Sequence, residues 1–490
     1  MLDQEERLRP GMPEIKPVLQ RHFKEVSDFV MKSIRLGFNG QAVLISYLSV
    51  VVDEDKLSRD IIQPLILKAE TIEQVESILE PVRLGSYERW EDINKGMWKG
   101  HVFLYLDGEA HAYLLNMSSW PSAQVKEPDN ESTLKGTRSG FIDSNHTNLA
   151  LIRHHIPEER LIQQEVRTGH EGKIHAVMLY HPDKADPANV TELNARLRRI
   201  DSQALMSMGE LAESLEDNNY SMLPQLLLTE RPDVVASGIM EGKIAILMGH
   251  TSQVMLAPMT FLSFFLSADD RNLRWPVVTF FRLLRFIGLV IAIFLPSFYI
   301  AAVSYHYEII PIDLVLSVGK SLERVPVPPI LEALFMELIL EMLREASLRL
   351  PPKVGQSVGI VGGIVIGQAA VEAGLVSNVM VIVVALTAIA SFVQPNQDMA
   401  AAVRLLRFPF MIAAFLMGLV GIVIGIMVLV THIISMQSLK APYGSPLFPI
   451  DTKKWRSVLA RLPQGGFRNR ADSAVAGNDP QADSSSRSKR

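Results

Sequence analysis

The spacing of apolar residues divides the chain into two parts of different character. In residues 1–281, apolar runs of strand length alternate with charged stretches of helical periodicity. Apolar runs at residues 42–52 and 174–180 predict strands, and the charged repeat at residues 190–200 predicts a helix. This alternation predicts an α/β or α+β fold for the first part, arranged as two small lobes.

Turn signals predict how some of these strands pair. Two apolar runs between residues 101 and 116 flank an Asp107-Gly108 turn, a combination typical of a β-hairpin. A second hairpin is predicted for residues 234–239 and 243–248, which flank Glu241-Gly242.

Long apolar runs in residues 282–435, each with at most one charge, predict a helical membrane domain. A helix needs about 20 apolar residues to cross the hydrocarbon core of a bilayer. One such run is also typical of a buried core helix, but several in one stretch favour a membrane domain. Four segments reach or approach the required length: 286–303, 357–375, 376–393 and 408–434.

A fifth helix, at residues 330–350, is predicted to be amphipathic. Its acidic residues fall near one helical face, opposite a face of Leu, Met, Phe and Ile. The favoured interpretation is a helix that lies at the membrane interface, and the alternative is a span whose acids face water. The acids concerned are Glu332, Glu337, Glu341 and Glu345. The fold class is therefore a two-lobed α/β or α+β domain followed by an α-helical polytopic membrane domain of four to five spans.

Charge and composition place the domain boundaries and the membrane orientation. Arginines between residues 271 and 285 flank the first span, so the N-terminal part is expected in the cytoplasm. The side of the tail stays open, because it depends on whether the fifth helix spans. The predicted units are an extension at 1–27, lobes at 28–140 and 141–281, the membrane domain at 282–435, and a basic, largely disordered tail at 436–490.

Glycines and polar residues mark the segment at 357–375 as a candidate pore or packing helix. Glycines four residues apart let helices approach closely in lipid, either within one chain or between subunits. Gln368 and Glu372 favour a subunit interface or a pore, because polar groups in a span are costly unless they face protein or water. Ile364 would belong to a hydrophobic constriction. The candidate residues are Gln356, Gly359, Gly363, Ile364, Gly367, Gln368 and Glu372.

The sequence offers no pattern typical of an enzyme. The chain has no Cys, which excludes a disulfide scaffold, a zinc ribbon and a thiol enzyme, and its net charge of −5 gives no support for nucleic-acid binding. Its His residues lack metal-site spacing, and no phosphate-binding or nucleophile-elbow motif occurs, so no metal, cofactor or catalytic residue is predicted. Trp120, Arg138 and Phe141 belong to an irregular stretch that predicts either an interface loop or an ordered connection.

Several strings resemble a known family. They include Thr229-Glu230-Arg231-Pro232-Asp233, residues 241–247 (EGKIAIL), residues 367–375 (GQAAVEAGL) and residues 381–392 (VIVVALTAIASF). Through them the chain resembles the A subunits of GerA-type spore germinant receptors, over roughly residues 26–449.

The resemblance implies a multi-pass protein of the spore inner membrane that is not an enzyme. It would contact membrane lipid, assemble with copies of itself into a ring around an ion path, and act with a transporter-like B subunit and a lipoprotein C subunit. The nutrient would bind through the B subunit and trigger ion release and germination. Two alternatives stay open: a small-solute transporter with a cytosolic regulatory domain, and a membrane-tethered enzyme with its active site within residues 30–250.

Overall fold

The computed structural model shows two mixed lobes followed by a bundle of helices. It describes residues 8, 11–24, 26–36, 40–67, 72–119, 128, 131, 135–156, 161–168, 174–200 and 206–448. The predicted basic tail therefore lies outside the described residues beyond Phe448, and so does Trp120.

The first lobe is a five-stranded antiparallel sheet in the order β1-β2-β4-β5-β3, with short helices around it. The predicted hairpin at residues 101–116 is confirmed, since His101 pairs with Asn116, and Gly108 adopts the positive φ of 93° that such a turn favours. The strands are β1 Phe29–Arg35, β2 Ala42–Leu48, β3 Arg83–Tyr87, β4 His101–Leu106 and β5 Ala112–Asn116. The helices are α1 Met12–His22, α2 Glu54–Leu57, α3 Gln63–Leu67, α4 Ile72–Leu79 and α5 Trp90–Trp98.

The second lobe repeats this plan with a sheet in the order β6-β7-β9-β10-β8, again antiparallel. The strands are β6 Ile162–Thr168, β7 Ile174–Tyr180, β8 Leu227–Thr229, β9 Ile244–Met248 and β10 Val254–Ala257. The helices are α6 Asn145–His155, α7 Pro187–Arg199, α8 Met208–Leu215 and α9 Pro232–Met240. The strands predicted at 42–52 and 174–180 and the helix predicted at 190–200 are confirmed.

The hairpin predicted across Glu241-Gly242 is wrong in its first arm. Residues 234–239 belong to helix α9, which begins with Pro232 and carries Asp233 in its first turn, both favourable at a helix start. Val235 and Ile239, four residues apart, are completely buried on one face of that helix. Strand β9 pairs with β7 and β10 instead.

A buried charged network joins the two lobes. The Arg153 guanidinium donates from Nη2 to Asp28 Oδ1 at 2.7 Å and to Gln163 Oε1 at 2.9 Å. Val26 forms an isolated parallel bridge with Gln163. Since Arg153 and Asp28 are 1% and 5% exposed, the pair fixes the lobes through a contact that water hardly reaches.

The helical part contains one long helix that reverses on itself. At Gly418 the backbone takes φ 61° and ψ −139°, outside the helical region, and the chain turns back. A side chain on Gly425 would lie 2.6 Å from the Phe410 ring, so the two arms of this helix pack face to face. The helices are α10 Trp275–Ser304, α11 Ile312–Leu322, α12 Pro329–Arg349, α13 Pro352–Glu372, α14 Asn378–Phe392 and α15 Gln397–Ser435.

Hydrogen bonds show which ends of the helices lie near the lobes, here called the proximal side. Arg285 in α10 contacts Asp270 in the turn that leads from the lobes, and Gln394 Nε2, between α14 and α15, donates to Arg285 O at 3.0 Å. Beyond the far end of α10, Tyr305 Oη donates to Phe415 O at 2.6 Å, close to the reversal. The first arm of α15 therefore runs parallel to α10, from the proximal to the distal side, and the second arm returns.

The end of α15 lies against the second lobe. Ser221 Oγ and His432 Nε2 are 2.9 Å apart, Ser438 Oγ donates to Gln225 O at 2.8 Å, and Tyr443 Oη donates to Pro224 O at 2.8 Å. A two-stranded ribbon, β11 Gln437–Ser438 and β12 Ala441–Pro442, follows the helix. The chain thus enters and leaves the bundle on the proximal side, which the sequence left open for the tail.

The bundle exposes apolar side chains to its surroundings. Most exposed large apolar residues of the described chain lie between Trp275 and Ile434. A face of this kind is typical of contact with lipid rather than water. By length and composition, two of the described helices could cross a membrane, α10 and α15, and α14 is a shorter apolar helix. The predicted number of four to five spans therefore stays a prediction.

Candidate functional site

Helix α12 buries two of its acids in the bundle and exposes several of its large apolar side chains. Glu332 and Glu337 are buried, at 0% and 3% exposed, whereas Leu331, Phe335 and Leu338 are at least 42% exposed. The predicted amphipathic helix is present, but two of its acids point into the bundle rather than toward water. Buried acids in an apolar bundle are expensive and mark a candidate functional site.

A buried ion pair forms the centre of this site. Arg407 in α15 pairs with Glu337 in α12, and both side chains are less than 5% exposed. Arg407 Nη2 also donates to Ser391 Oγ in α14 at 2.7 Å. One turn closer to the lobes, Arg404 Nε donates to Glu341 at 3.3 Å, while Glu345 pairs with Arg349 on the exposed surface. Three helices are therefore held together by charge around Glu337.

Two further polar clusters lie on the distal and the proximal side of this ion pair. On the distal side, Glu332 accepts a hydrogen bond from Ser377 N at 2.8 Å, and Ser377 Oγ lies 3.3 Å from Tyr299 Oη. On the proximal side, Asp270 accepts hydrogen bonds from Arg282 and Arg285, each at 2.9 Å. The three clusters cross-link the helices from the lobe contact to the distal end.

A cavity of about 560 Å³ opens beside the central ion pair, here called the proximal cavity. Helices α12, α13, α14 and α15 enclose it. Its charged lining consists of Glu337, Glu341, Arg344, Arg404 and Arg407, and its other walls include Leu340, Leu343, Leu348 and Phe392. A second cavity of about 730 Å³ lies between the helices and the second lobe and shares Arg344 and Arg404 with it.

The second cavity also contains an acid with a shifted pKa. Burial raises the pKa of Glu131 from its ordinary value of 4.5 to about 7, although a hydrogen bond from Thr229 Oγ1 at 2.7 Å opposes the shift. Arg231 lines the same cavity, where Asp233 holds its guanidinium at 2.6 Å. Within the residues that the structure describes, no group of three or more His, Cys, Asp or Glu is arranged to hold a metal ion.

The glycines of α13 are divided between two neighbours within the chain. A Cβ on Gly355 would lie 2.5 Å from Ser347 O, and one on Gly362 would lie 2.9 Å from a methyl of Leu343, so both glycines permit close packing on α12. A Cβ on Gly359 would lie 3.4 Å from Ser347 Oγ, and one on the buried Gly367 would lie 3.8 Å from Val381 of α14. Intrachain packing thus accounts for part of the glycine pattern.

The remaining candidate residues of α13 face away from the chain. A Cβ on Gly363 would meet none of the described atoms within 4 Å. Ile364 is 64% exposed, and Gln368 and Glu372 are exposed and hydrogen bonded to each other at 2.9 Å. Ile364, Gln368 and Glu372 follow one another at intervals of four residues and therefore form one stripe along the helix. Gln356 also belongs to α13, but its side chain lies outside the part that the structure describes.

The candidate interface loop is partly described. Phe141 is 4% exposed and belongs to the hydrophobic core, and its N donates to Glu230 O at 2.8 Å. Arg138 is exposed, while Trp120 lies outside the described residues. Lys135 O accepts from Asn272 Nδ2 at 2.7 Å, which ties this loop to the segment just before α10. For Phe141 the structure favours the ordered connection over the interface.

Sequence reasoning missed the basic half of the ion pairs. It named the acids of α12 but not Arg404 and Arg407, which precede the long apolar run of residues 408–434. A signal was available: Glu337 and Glu341 lie four residues apart, and Arg404 and Arg407 lie three apart, so each pair occupies one helix face. Only the packing of α12 on α15 shows that the two faces meet.

The sequence matches one protein family over nearly its whole length. The family is described as "Bacillus/Clostridium GerA spore germination protein", and its profile matches residues 17–473. Three relatives come from Bacillus subtilis strain 168. Spore germination protein KA is 35% identical over 96% of this chain and 89% of its own length. Spore germination protein A1 is 36% identical over 94% of this chain and 95% of its own.

The third relative, uncharacterized membrane protein YfkQ, is 34% identical over 96% of this chain and 93% of its own. One solved structure is also similar: the N-terminal domain of the A subunit of the Bacillus megaterium spore germinant receptor GerK3. It is 23% identical, covers 52% of this chain and 97% of that chain, and has a TM-score of 0.41.

Proposed function

The chain belongs to the GerA family of spore germination proteins, and on that premise we propose that it is the A subunit of a spore germinant receptor. It resides in the spore inner membrane and acts with a transporter-like B subunit and a lipoprotein C subunit. Copies of the chain form a ring around an ion path, and the nutrient signal arrives through the B subunit. The ring opens in response and releases ions.

The helices of the bundle lie within the membrane in this proposal. The apolar exposed surface between Trp275 and Ile434 supports contact with lipid. An even number of crossings follows from the proximal position of both ends of the bundle. The proximal side also carries Arg282, Arg285, Arg344 and Arg404, which supports a cytoplasmic position for the lobes by the positive-inside rule.

The outward stripe on α13 carries the proposal of a ring. Gln368 and Glu372 are exposed on a helix whose other exposed side chains, among those that the structure describes, are apolar. In lipid such a pair is costly, and contact with a second copy or with a water-filled path removes the cost. Ile364, one turn before Gln368, then narrows the path at a hydrophobic constriction.

Paired glycine substitutions test the ring. Gly363→Leu adds a side chain where the described chain leaves space, whereas Gly362→Leu forces one onto Leu343. We expect Gly363→Leu to leave the purified subunit as heat-stable as the parent but to abolish its assembly on native gels and its germination response. Gly362→Leu should lower the unfolding temperature, because overpacking costs about 1–3 kcal/mol. Normal assembly and germination of Gly363→Leu would contradict the proposal.

Cysteine scanning tests the ion path. The chain has no Cys, so each introduced Cys is the single thiol. Along residues 357–375, a water-soluble thiol reagent should label positions 364, 368 and 372 when nutrient is added, and the buried position 367 should stay unlabelled as the control. Replacement of Ile364 by Ser should cause ion leakage without nutrient. Uniform protection of the segment, together with a monomer that transports solute, would favour the transporter instead.

A further inference from the structure

The proximal cavity carries more positive charge than its acids neutralise. Three arginines line it against two glutamates. Arg407 pairs with Glu337 and Arg404 with Glu341. Arg344 makes no hydrogen bond or ion pair with any residue that the structure describes, and its guanidinium lies 5.1 Å from the centroid of the Phe392 ring. The three arginines that line the cavity therefore outnumber its two acids, and Arg344 interacts with Glu341 only at longer range, because Glu341 is paired with Arg404.

A second cation of the cavity also has a spare donor. Arg404 is 16% exposed at its side chain, and its Nη1 is buried without a hydrogen-bond partner among the described residues. A buried donor without a partner costs about 1–3 kcal/mol, so a rotation of the Arg404 guanidinium that turns this nitrogen toward an acceptor in the cavity would recover that free energy. The arginine fork suits the oxygens of a phosphate group, which it can bind with two parallel hydrogen bonds.

The cavity wall changes from charged to apolar toward the outside of the bundle. Leu348 and Phe392, at the rim, are 74% and 68% exposed and join the apolar outer surface of the bundle. Leu340 and Leu343 continue that wall inward, and Gly355 and Gly359 leave room beside it. The volume of about 560 Å³ falls within the range of about 300–1,000 Å³ typical of small-ligand sites.

We propose that the proximal cavity binds one anionic phospholipid of the cytoplasmic leaflet. Arg344 and Arg404 hold its phosphate, and its acyl chains follow Leu348 and Phe392 out to the surrounding lipid. The assignment rests on the proposed function insofar as that function embeds the bundle in the membrane. Charge complementarity and the apolar exit select an anionic lipid over a zwitterionic one, and basic pockets between helices on the cytoplasmic side are typical of such sites.

The lipid would contact four helices at once. Arg344 belongs to α12, Phe392 to α14 and Arg404 to α15, while Gly355 and Gly359 belong to α13, the helix of the proposed ion path. A lipid at this position would therefore stabilise the packing of α12 against α13. Its loss should lower the thermal stability of the assembled receptor, without any change in the lobes.

The test measures lipid binding to the full chain in detergent by native mass spectrometry. The chain is titrated with phosphatidylglycerol, with phosphatidylcholine of the same acyl chains, and with inorganic phosphate. We expect phosphatidylglycerol to bind at least about fivefold more tightly than phosphatidylcholine, the effect of about one near-surface cation. Equal binding of the two lipids would overturn the site. Displacement of phosphatidylglycerol by equimolar phosphate would show a site for free anions and would overturn the lipid assignment.

Substitutions of single arginines test whether the lipid binds in the proximal cavity. Arg344→Gln should abolish the preference for phosphatidylglycerol, and Arg344→Lys should retain most of it. Arg349→Gln is the control, because Arg349 lies on the same helix, is 78% exposed and pairs with Glu345 outside the cavity. An equal loss in Arg344→Gln and Arg349→Gln would overturn the proposal. If Arg404→Gln fails to fold because Glu341 loses its partner, Arg344→Gln still decides the question, since Arg344 makes no hydrogen bond or ion pair with a described residue.

The outcomes separate the lipid site from the proposed receptor. A chain that assembles and conducts ions but does not distinguish the two lipids lacks the site and keeps the function. A chain that stays soluble without detergent contradicts both, because its bundle would not lie in a membrane.

Discussion

Replacement of Glu337 by Gln should destabilise the helical bundle strongly. The change removes the anion that faces Arg407 and leaves a guanidinium that is 4% exposed with only Ser391 as a described partner. Breaking a buried ion pair by removing one partner costs about 3–5 kcal/mol. At about 2–4 °C per kcal/mol for a segment of this size, the unfolding temperature should fall by roughly 6–20 °C.

The measurement is thermal unfolding of the full chain in detergent, followed by the helical circular dichroism signal. Glu345→Gln is the matched control, because it removes the same charge from the same helix at a pair that is 59% exposed on the acid side. An exposed pair is worth about 0–1 kcal/mol, so this variant should shift the midpoint by at most about 4 °C.

A double variant separates the pair from the individual charges. Glu337→Leu with Arg407→Leu replaces both buried charges by apolar side chains, which often leaves stability unchanged. The double variant should therefore unfold at a higher temperature than Glu337→Gln. The reasoning is refuted if Glu337→Gln shifts the midpoint no further than Glu345→Gln, or if the double variant loses as much as both single changes added together.

Three further predictions concern other parts of the chain. Gly418→Ala should lower the yield of monodisperse protein, because φ 61° with ψ −139° is a strained backbone for a non-glycine residue and costs about 1–3 kcal/mol. Gly319→Ala, with no described atom within 4 Å, should not lower the yield. Because burial raises the pKa of Glu131 to about 7, the folded chain holds a proton that the unfolded chain releases near pH 4.5. The free energy of unfolding should therefore fall as the pH rises from about 4.5 to 7. Glu131→Gln should flatten that slope in denaturant titrations. Arg153→Met leaves the buried Asp28 without its cation and should lower the free energy of unfolding in urea by about 3–5 kcal/mol. A decrease below about 1 kcal/mol would show that the lobes do not depend on this pair.

Local sequence patterns predicted correctly those elements that are specified by residues close together in the sequence. The hairpin at 101–116 follows from two apolar runs and an Asp-Gly turn, since turn and strands are specified within 16 residues. Helices α10, α13, α14 and α15 follow from long apolar runs, whereas α11 was not predicted from the sequence. The glycine spacing of α13 was only a partial guide, because Gly362 packs on Leu343 whereas Gly363 meets no described atom within 4 Å.

The sequence by itself determined the division into two lobes and a helical bundle, and the polar stripe of Gln368 and Glu372. Only the tertiary structure decided that residues 234–239 form a helix, that α15 reverses at Gly418, and that Glu337 meets Arg407 across 70 positions of the chain. The physical reason is the same in each case. Periodicity records which face of an element is apolar, but the element that covers that face is chosen by packing between segments distant in sequence.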